Sequence, residues 1–500
     1  MNVQTGSWTI GDRLAIRGSV LLILILLLPN IAQAQEHENT IPFNYTFYTS
    51  AQGAVVGETP FWHYANTYGH LQHGSQANWL SGVTLEMPYQ QFGPVEVASG
   101  AELTSRVSDT RNSTHFTQLY GALQYQGWRL RIGRFRHTLG LHMEDLSVGS
   151  MIVSRNATPM PKIELTTPGF VNVPLSNERL RIRAYWAEGR LEEDRDISRA
   201  RVHQKAVYLK AVVSPNIQVI GGLVQSLQWA GTTPEGNRLP SGFRRYRDIV
   251  FNPKGGGDEN AVASYDIGLE VSIREWEMQA YRQFFLYDWI SLFLSSPWDG
   301  LWGVGVQREE GSSGWVNALT YEFVNTIQQD AHPGLPKGRA RYYSHHTYVS
   351  GWTYHGNVLG NPLLRNAQYR SSRPDTQPPN LMVIGHHLGM RGSPNSRLDY
   401  SLRFTYSRNY GICEDQTEAG RPNGCTIGSS DTIPPELSER RIPRSELRQD
   451  QYATLLDARY LLSEAYGLRL RSSVAVDWGE FDGTQIGFIL GLQWDGTISL

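Results

Sequence analysis

Apolar and polar residues alternate one by one along many stretches of the chain. Leu398, Tyr400, Leu402, Phe404 and Tyr406 are interleaved with Asp399, Ser401, Arg403, Thr405 and Ser407. Successive side chains of an extended strand point to opposite faces, so this order sorts apolar groups onto one side and polar groups onto the other. The same period recurs where Leu468, Leu470, Val474, Val476 and Trp478 face away from Arg469, Arg471 and Asp477. It recurs again from Tyr265 to Arg274, Leu180 to Trp186, Trp128 to Ile132 and Gln485 to Trp494. A helical period fits none of these runs. The longer ones match the roughly 9 to 11 residues a tilted strand needs to cross a bilayer, and many end in Trp or Tyr.

Two architectures use such strands. In a soluble sandwich the apolar face packs a core, whereas in an outer-membrane barrel it faces lipid and the polar face lines the lumen. Arg, Asp, Glu and Gln are dense on the polar faces, which a wet or salt-bridged lumen tolerates. Connectors alternate between short ones such as Gln126-Gly127 and long ones such as Gly411 to Gln449, as periplasmic turns and outer loops do. No linker or change of pattern divides the chain. The expected fold is therefore all-β: a closed antiparallel transmembrane β-barrel with long extracellular loops and short periplasmic turns, leaving no unpaired edge. Because the chain ends Asp495 to Leu500 without a final aromatic residue, a short tail beyond Trp494 is expected.

The N-terminus breaks the alternation. Arg13 and Arg17 precede the unbroken apolar run Val20 to Leu28, and Ala32-Gln33-Ala34 follows. That order reads as a secretory signal peptide over residues 1–34, cleaved before Gln35. The run is about half the length a membrane-spanning helix requires. The expected localisation is the cell outer membrane. Residues 35–90 read as an N-terminal segment of short strands and turns leading into the barrel, and residues 91–500 as the barrel. Composition narrows the function further: basic residues number 45 against 47 acidic ones, so no charge excess points to nucleic acid. Trp (14) and Tyr (25) outnumber Phe (16), and such amphipathic rings settle at membrane–water boundaries.

Three stretches carry a resemblance: LSVGSMIVSRNATPMPKIELTTPG from Leu146 to Gly169, HQKAVYLK from His203 to Lys210, and RYYSHHTYVSGWTYHGNVLGNPLL from Arg341 to Leu364. They resemble the Wzi-type capsule assembly proteins of Gram-negative outer membranes. The resemblance implies a barrel of about 18 strands, roughly 16 to 20. It implies an outer-membrane lectin that helps attach or assemble capsular or extracellular polysaccharide at the cell surface, and not an enzyme. Expected partners are that polysaccharide, outer-membrane lipid and, during biogenesis, the barrel-assembly machinery.

Sugars bind by stacking apolar faces on aromatic rings while planar polar groups grip their hydroxyls. Tyr342, Tyr343, His345, His346, Trp352, Tyr354 and Asn357 supply those types close together, although Trp and Tyr near strand ends also serve as girdle residues. His63, His70 and His73 could supply imidazoles, but no Cys or carboxylate stands at recognised ligand spacing, so neither metal nor cofactor is expected. No G-x-S-x-G motif appears. Cys413 and Cys425, in the long polar connector, are expected to form a disulfide in an oxidising compartment. A porin or substrate-specific channel is the alternative reading, with Arg129, Arg131, Arg181 and Arg183 lining an anion path. Pairing of those arginines with carboxylates such as Asp266, Glu270 and Asp477 would plug it instead.

Overall fold

The computed structural model describes residues 40–251, 259–286, 294, 296–309, 311–329, 342–365, 380–413, 425–426 and 448–499. The signal peptide expected over residues 1–34 lies outside them. The wall begins with β1 (Pro42–Val56), β2 (Ala77–Phe92), β3 (Val95–Ser108), β4 (Ser113–Tyr125) and β5 (Trp128–Arg134). It continues through β6 (Pro161–Thr166), β7 (Val171–Asn172), β8 (Leu180–Arg190), β9 (Arg201–Ser214), β10 (Ile217–Trp229), β11 (Asn260–Ile273) and β12 (Trp276–Leu286). After β13 (Gly300–Arg308) and β14 (Gly314–Asn325) comes the small inner hairpin β15 (Thr353–Tyr354) and β16 (Asn357–Val358). The wall resumes at β17 (Val383–Asn395) and β18 (Leu398–Asn409), is interrupted by the ribbon β19 (Ile412–Cys413) and β20 (Cys425–Thr426), and ends with β21 (Gln449–Ser463), β22 (Leu468–Gly479) and β23 (Gln485–Ser499).

Every pairing in the wall is antiparallel, and β23 returns to pair with β1, from Pro42 opposite Ser499 to Val56 opposite Ile486. The sheet has 19 strands, but β6 and β7 both lie against β8 and form one interrupted stave. The result is a closed antiparallel barrel of 18 staves. Closure pairs the first stave with the last, where an open sheet edge would otherwise face lipid.

Residues 35–90 differ from expectation. Rather than short strands leading into the barrel, the described part supplies two full-length staves, β1 and β2, joined by an inward loop. The physical reason is closure: without β1, the long edge of β23 would stand unpaired.

Along the staves one face is apolar and open. Leu119, Ile132, Leu209, Ile267, Val304, Val474 and Leu490 are exposed there, as lipid-facing positions require. Toward the long-loop ends, Trp302, Phe323, His386, Tyr406, Tyr452 and Trp478 lie opposite one another across successive ladders. Tyr452 and Trp478 stack with ring centroids 5.2 Å apart. This row is an interfacial girdle.

The lumen is packed, where alternation alone predicts a polar interior. The loop between β1 and β2, carrying helix α1 (Phe61–Tyr64), and the stretches 135–160, 191–200 and 342–365 turn inward and share a core containing Phe135, Leu146, Met151, Ile152, Tyr343 and Trp352. Lumen-facing glycines make room for tyrosines that reach toward this cork. A Cβ on Gly303 would stand 2.1 Å from the Tyr281 ring, and one on Gly222 2.2 Å from that of Tyr208.

Candidate functional site

Inward-facing wall residues hold the cork mainly through its backbone. Glu322 of β14 accepts from Ser147 Oγ (2.7 Å), Val148 N (2.6 Å) and Tyr281 OH (2.6 Å). Asp266 of β11 accepts from Leu141 N at 2.9 Å and from Tyr208 OH at 2.8 Å. Asp477 of β22 accepts from Phe61 N at 2.6 Å, at the start of α1. Gln283 accepts from Met151 N (3.0 Å), and His387 donates from Nε2 to the Leu146 carbonyl (2.7 Å). Each is a buried polar group made tolerable by the partner it fixes.

Two of the inward arginines, Arg129 and Arg131, pair with a carboxylate of the wall. Arg131 makes a two-pronged contact with Glu164 (2.7 and 2.9 Å), and Arg129 approaches the same carboxylate. Arg181 donates to Asn172, while Glu270 is taken by Lys210 at 2.6 Å. Asp266 and Asp477, expected as arginine partners, bind loop backbone instead.

The seven sugar-site candidates do come together, but as a cork. Tyr342, Tyr343 and Trp352 are 0 % exposed and Tyr354 is 1 % exposed, so none offers a ring face to a sugar. Their polar ends are spent inside: Tyr342 OH on Asp299 (2.8 Å), Tyr343 OH on the Met151 carbonyl (2.6 Å), Trp352 Nε1 on the Ile152 carbonyl (2.9 Å). Burial pushes the Tyr354 hydroxyl up to about 12, with Arg134 opposing the shift. His345 is half-buried and its Nδ1 accepts from Thr347 N and Tyr348 N. His346 is exposed and Asn357 half-buried, so these three retain access.

The outer rim adds residues that sequence reasoning passed over. β5 pairs with β4 only from Leu119 opposite Arg134 downward, so Ser113–Gln118 of β4 pair with β3 alone. The wall is therefore notched. Arg134 stands at its lower edge, half-buried, and His115 lies within electrostatic reach of Arg134, Arg106 and His355, the last at the tip of the β15–β16 hairpin. The signal available in sequence was weak: Arg134 follows the alternating run Trp128 to Ile132 just before the pattern stops.

The histidines of the first loop diverge. His63 Nε2 lies 3.2 Å from Ser473 Oγ, His70 3.7 Å from Glu102, and His73 3.5 Å from Glu58. Among the described residues no group of three or more His, Cys, Asp or Glu side chains is placed to hold a metal ion. The Cys413 and Cys425 side chains lie outside what is described, but their backbones are directly opposed in the β19–β20 ribbon.

No curated protein matches the chain. Among solved structures it is similar to Wzi, an outer-membrane protein involved in group 1 capsule assembly in Escherichia coli and a carbohydrate-binding β-barrel. That match has 14% identity, covers 95% of this chain and 87% of that one, and has a TM-score of 0.52. It is also similar to OccAB4 of Acinetobacter baumannii, at 8% identity, 92% and 99% coverage and a TM-score of 0.45. OprD of Pseudomonas aeruginosa follows at 11%, 94% and 98%, and 0.43. The family model of the capsule assembly protein Wzi matches residues 43–372, and with two thirds of its length inside that match the chain belongs to the Wzi family.

Proposed function

We propose that this protein is an outer-membrane lectin that holds surface polysaccharide at the cell, a binder and not an enzyme. The observation that carries the reading is the corked lumen. Trp62, Met151, Ile152 and Trp352, each at most 2 % exposed, occupy the interior where a channel would need water. A barrel so filled presents its outer surface for work. Family membership and the carbohydrate-binding character of the Escherichia coli Wzi barrel support the same reading.

The glycan contact we assign to the notch. Arg134 supplies a fixed positive charge for acidic sugars, and His115, together with His355 and Asn357 of the inner hairpin, supplies hydrogen-bonding groups beside it. A guanidinium is the natural grip for a uronate or pyruvyl carboxylate, since it can donate two parallel hydrogen bonds. The precursor carries a cleaved signal peptide over residues 1–34. Outer-membrane lipid surrounds the folded barrel, and barrel-assembly machinery inserts it.

A deletion strain complemented with the wild-type chain, stained for cell-attached and shed polysaccharide, tests this function. Attachment is expected to fall on deletion and return on complementation. The purified barrel should be electrically silent in planar bilayers. Unchanged attachment together with steady open-channel current would replace the lectin by a channel.

A further inference from the structure

The outer wall carries a charge that no ion pair neutralises among the described residues. Register sets Arg282 of β12 opposite Ile267 of β11 and Trp302 of β13. Ile267 is 53 % exposed on the lipid side, so Arg282 belongs to the lipid-facing row, although it is itself only 5 % exposed. Its guanidinium lies against the rings of Phe284 and Trp302, 4.4 and 4.3 Å from their centroids. Its Nη atoms donate to the backbone carbonyls of Gln283, Leu301, Pro297 and Asp299. The Asp299 carboxylate accepts from Gln328 N, Gln329 N and Tyr342 OH, so that it and Asp266 act on the guanidinium only at longer range. Arg282 Nε and Trp302 Nε1 are both buried without a hydrogen-bond partner.

Two residues along the strand toward the periplasm the wall is hollow. Ala280 stands opposite Leu269 and Val304, and Val304 opposite Tyr321. The short alanine among longer neighbours leaves a groove of ≈ 370 Å³ whose lining includes Arg282 and Trp302, within the roughly 300–1,000 Å³ of ligand sites. Trp302 is also the first member of the aromatic row through Phe323 and His386, and such rows mark the level where hydrocarbon meets headgroups. The apolar part of the groove therefore runs in hydrocarbon while its charged end sits at headgroup level.

We propose that this groove binds one outer-membrane lipid of acidic headgroup, its acyl chain lying over Ala280 and its acidic oxygens against Arg282 and Trp302. Apolar lining, a guanidinium with no carboxylate at ion-pair distance and two unpartnered N–H groups at one end are complementary to that amphiphile. A charge held in a low-dielectric wall gains most from a counter-ion that arrives with the lipid.

The test uses the full barrel in phosphatidylcholine bilayers doped with spin-labelled phosphatidylglycerol or, in parallel, spin-labelled phosphatidylcholine, reading the motionally restricted fraction. The acidic label should be enriched about fivefold over the neutral one, and inorganic phosphate in the buffer should leave that ratio unchanged. Ala280→Phe, which fills the groove and keeps Arg282, should abolish the preference, as should Arg282→Gln. Heat-shifted gel mobility establishes that each variant is a folded barrel, and Ala280→Phe carries the test if Arg282→Gln is not. Equal restriction of both lipids, a preference surviving Ala280→Phe, or full displacement by phosphate would each overturn the proposal.

Discussion

Glu322 fastens cork to wall through two short hydrogen bonds, from Ser147 and Val148, and removing it tests whether the lumen is sealed by specific bonds or by crowding. The side chain is fully buried and serves three donors at 2.6 to 2.7 Å, from Ser147, Val148 and Tyr281. In Glu322→Ala all three lose their acceptor, at roughly 1–3 kcal/mol each when buried. Because they share one partner their losses do not add, and about 3 kcal/mol is a fair expectation for local docking. That corresponds to roughly 100-fold in the opening equilibrium of the segment. Hydrogen exchange on the barrel in detergent should therefore show about 100-fold lower protection for the Val148 amide, while β14, still paired on both sides, keeps its own. Planar bilayers should record brief openings absent from the wild type. Glu322→Gln, which keeps one good acceptor, should fall between the two. Unchanged protection at 146–149 with a silent bilayer would show that packing alone holds the cork and that the bonds to Glu322 are incidental.

Acid should loosen the first loop. Burial lowers His63 to about 3, aided by the Arg471 charge and opposed by Asp457, whereas an undocked imidazole titrates near 6.5. The undocked state therefore binds the extra proton first, and docking of residues 57–76 weakens as pH falls below about 6.5, by about 2 kcal/mol at pH 5. Limited proteolysis at pH 7 and pH 5 reads this, and a wild-type cleavage rate that does not rise with acid contradicts it; His63→Gln should respond less. Arg134→Ala should weaken retention of acidic polysaccharide on an affinity column about tenfold, the worth of a charge-assisted hydrogen bond. Tyr342→Phe should not; if the two behave alike, the notch is not the contact. In protein denatured without reductant, Cys413 and Cys425 should yield no titratable thiol, since directly opposed ladder positions stand about 4.5–5.5 Å apart, within disulfide reach. Two free thiols would contradict the disulfide.

The wall was legible because lipid is a one-sided solvent. Every second residue meets hydrocarbon, so Leu398 to Tyr406 and Leu468 to Trp478 announce strand, face and barrel at once. β1 was less legible because its alternation carries rings on both faces. Tyr45 and Phe47 lie on the lipid side with Leu85 and Val83, but Tyr48 points inward to Glu102 and Thr104. The cork was not legible as a cork at all. Val148, Met151 and Ile152 fall in an irregular stretch, and Trp352 and Tyr343 are the residue types a sugar platform and a packed interior both demand. Composition cannot tell which; only the partner of each polar end does.

The inner carboxylates carry that distinction further. In a water-filled barrel Asp266, Glu322 and Asp477 would be read as charge along a conducting path. Here each receives a backbone N–H from an inward loop, of Leu141, Val148 and Phe61 respectively. A loop entering a lumen brings amide groups that have left their ladder and need acceptors, and carboxylates on the polar face of neighbouring strands are the strongest ones the wall can offer. Acidic residues at isolated inward positions of long strands are then evidence for a plug as much as for a pore. In this barrel the two readings part at the arginines: Arg129 and Arg131 are already spent on Glu164 within the wall, which leaves Asp266, Glu322 and Asp477 to the loops that close it.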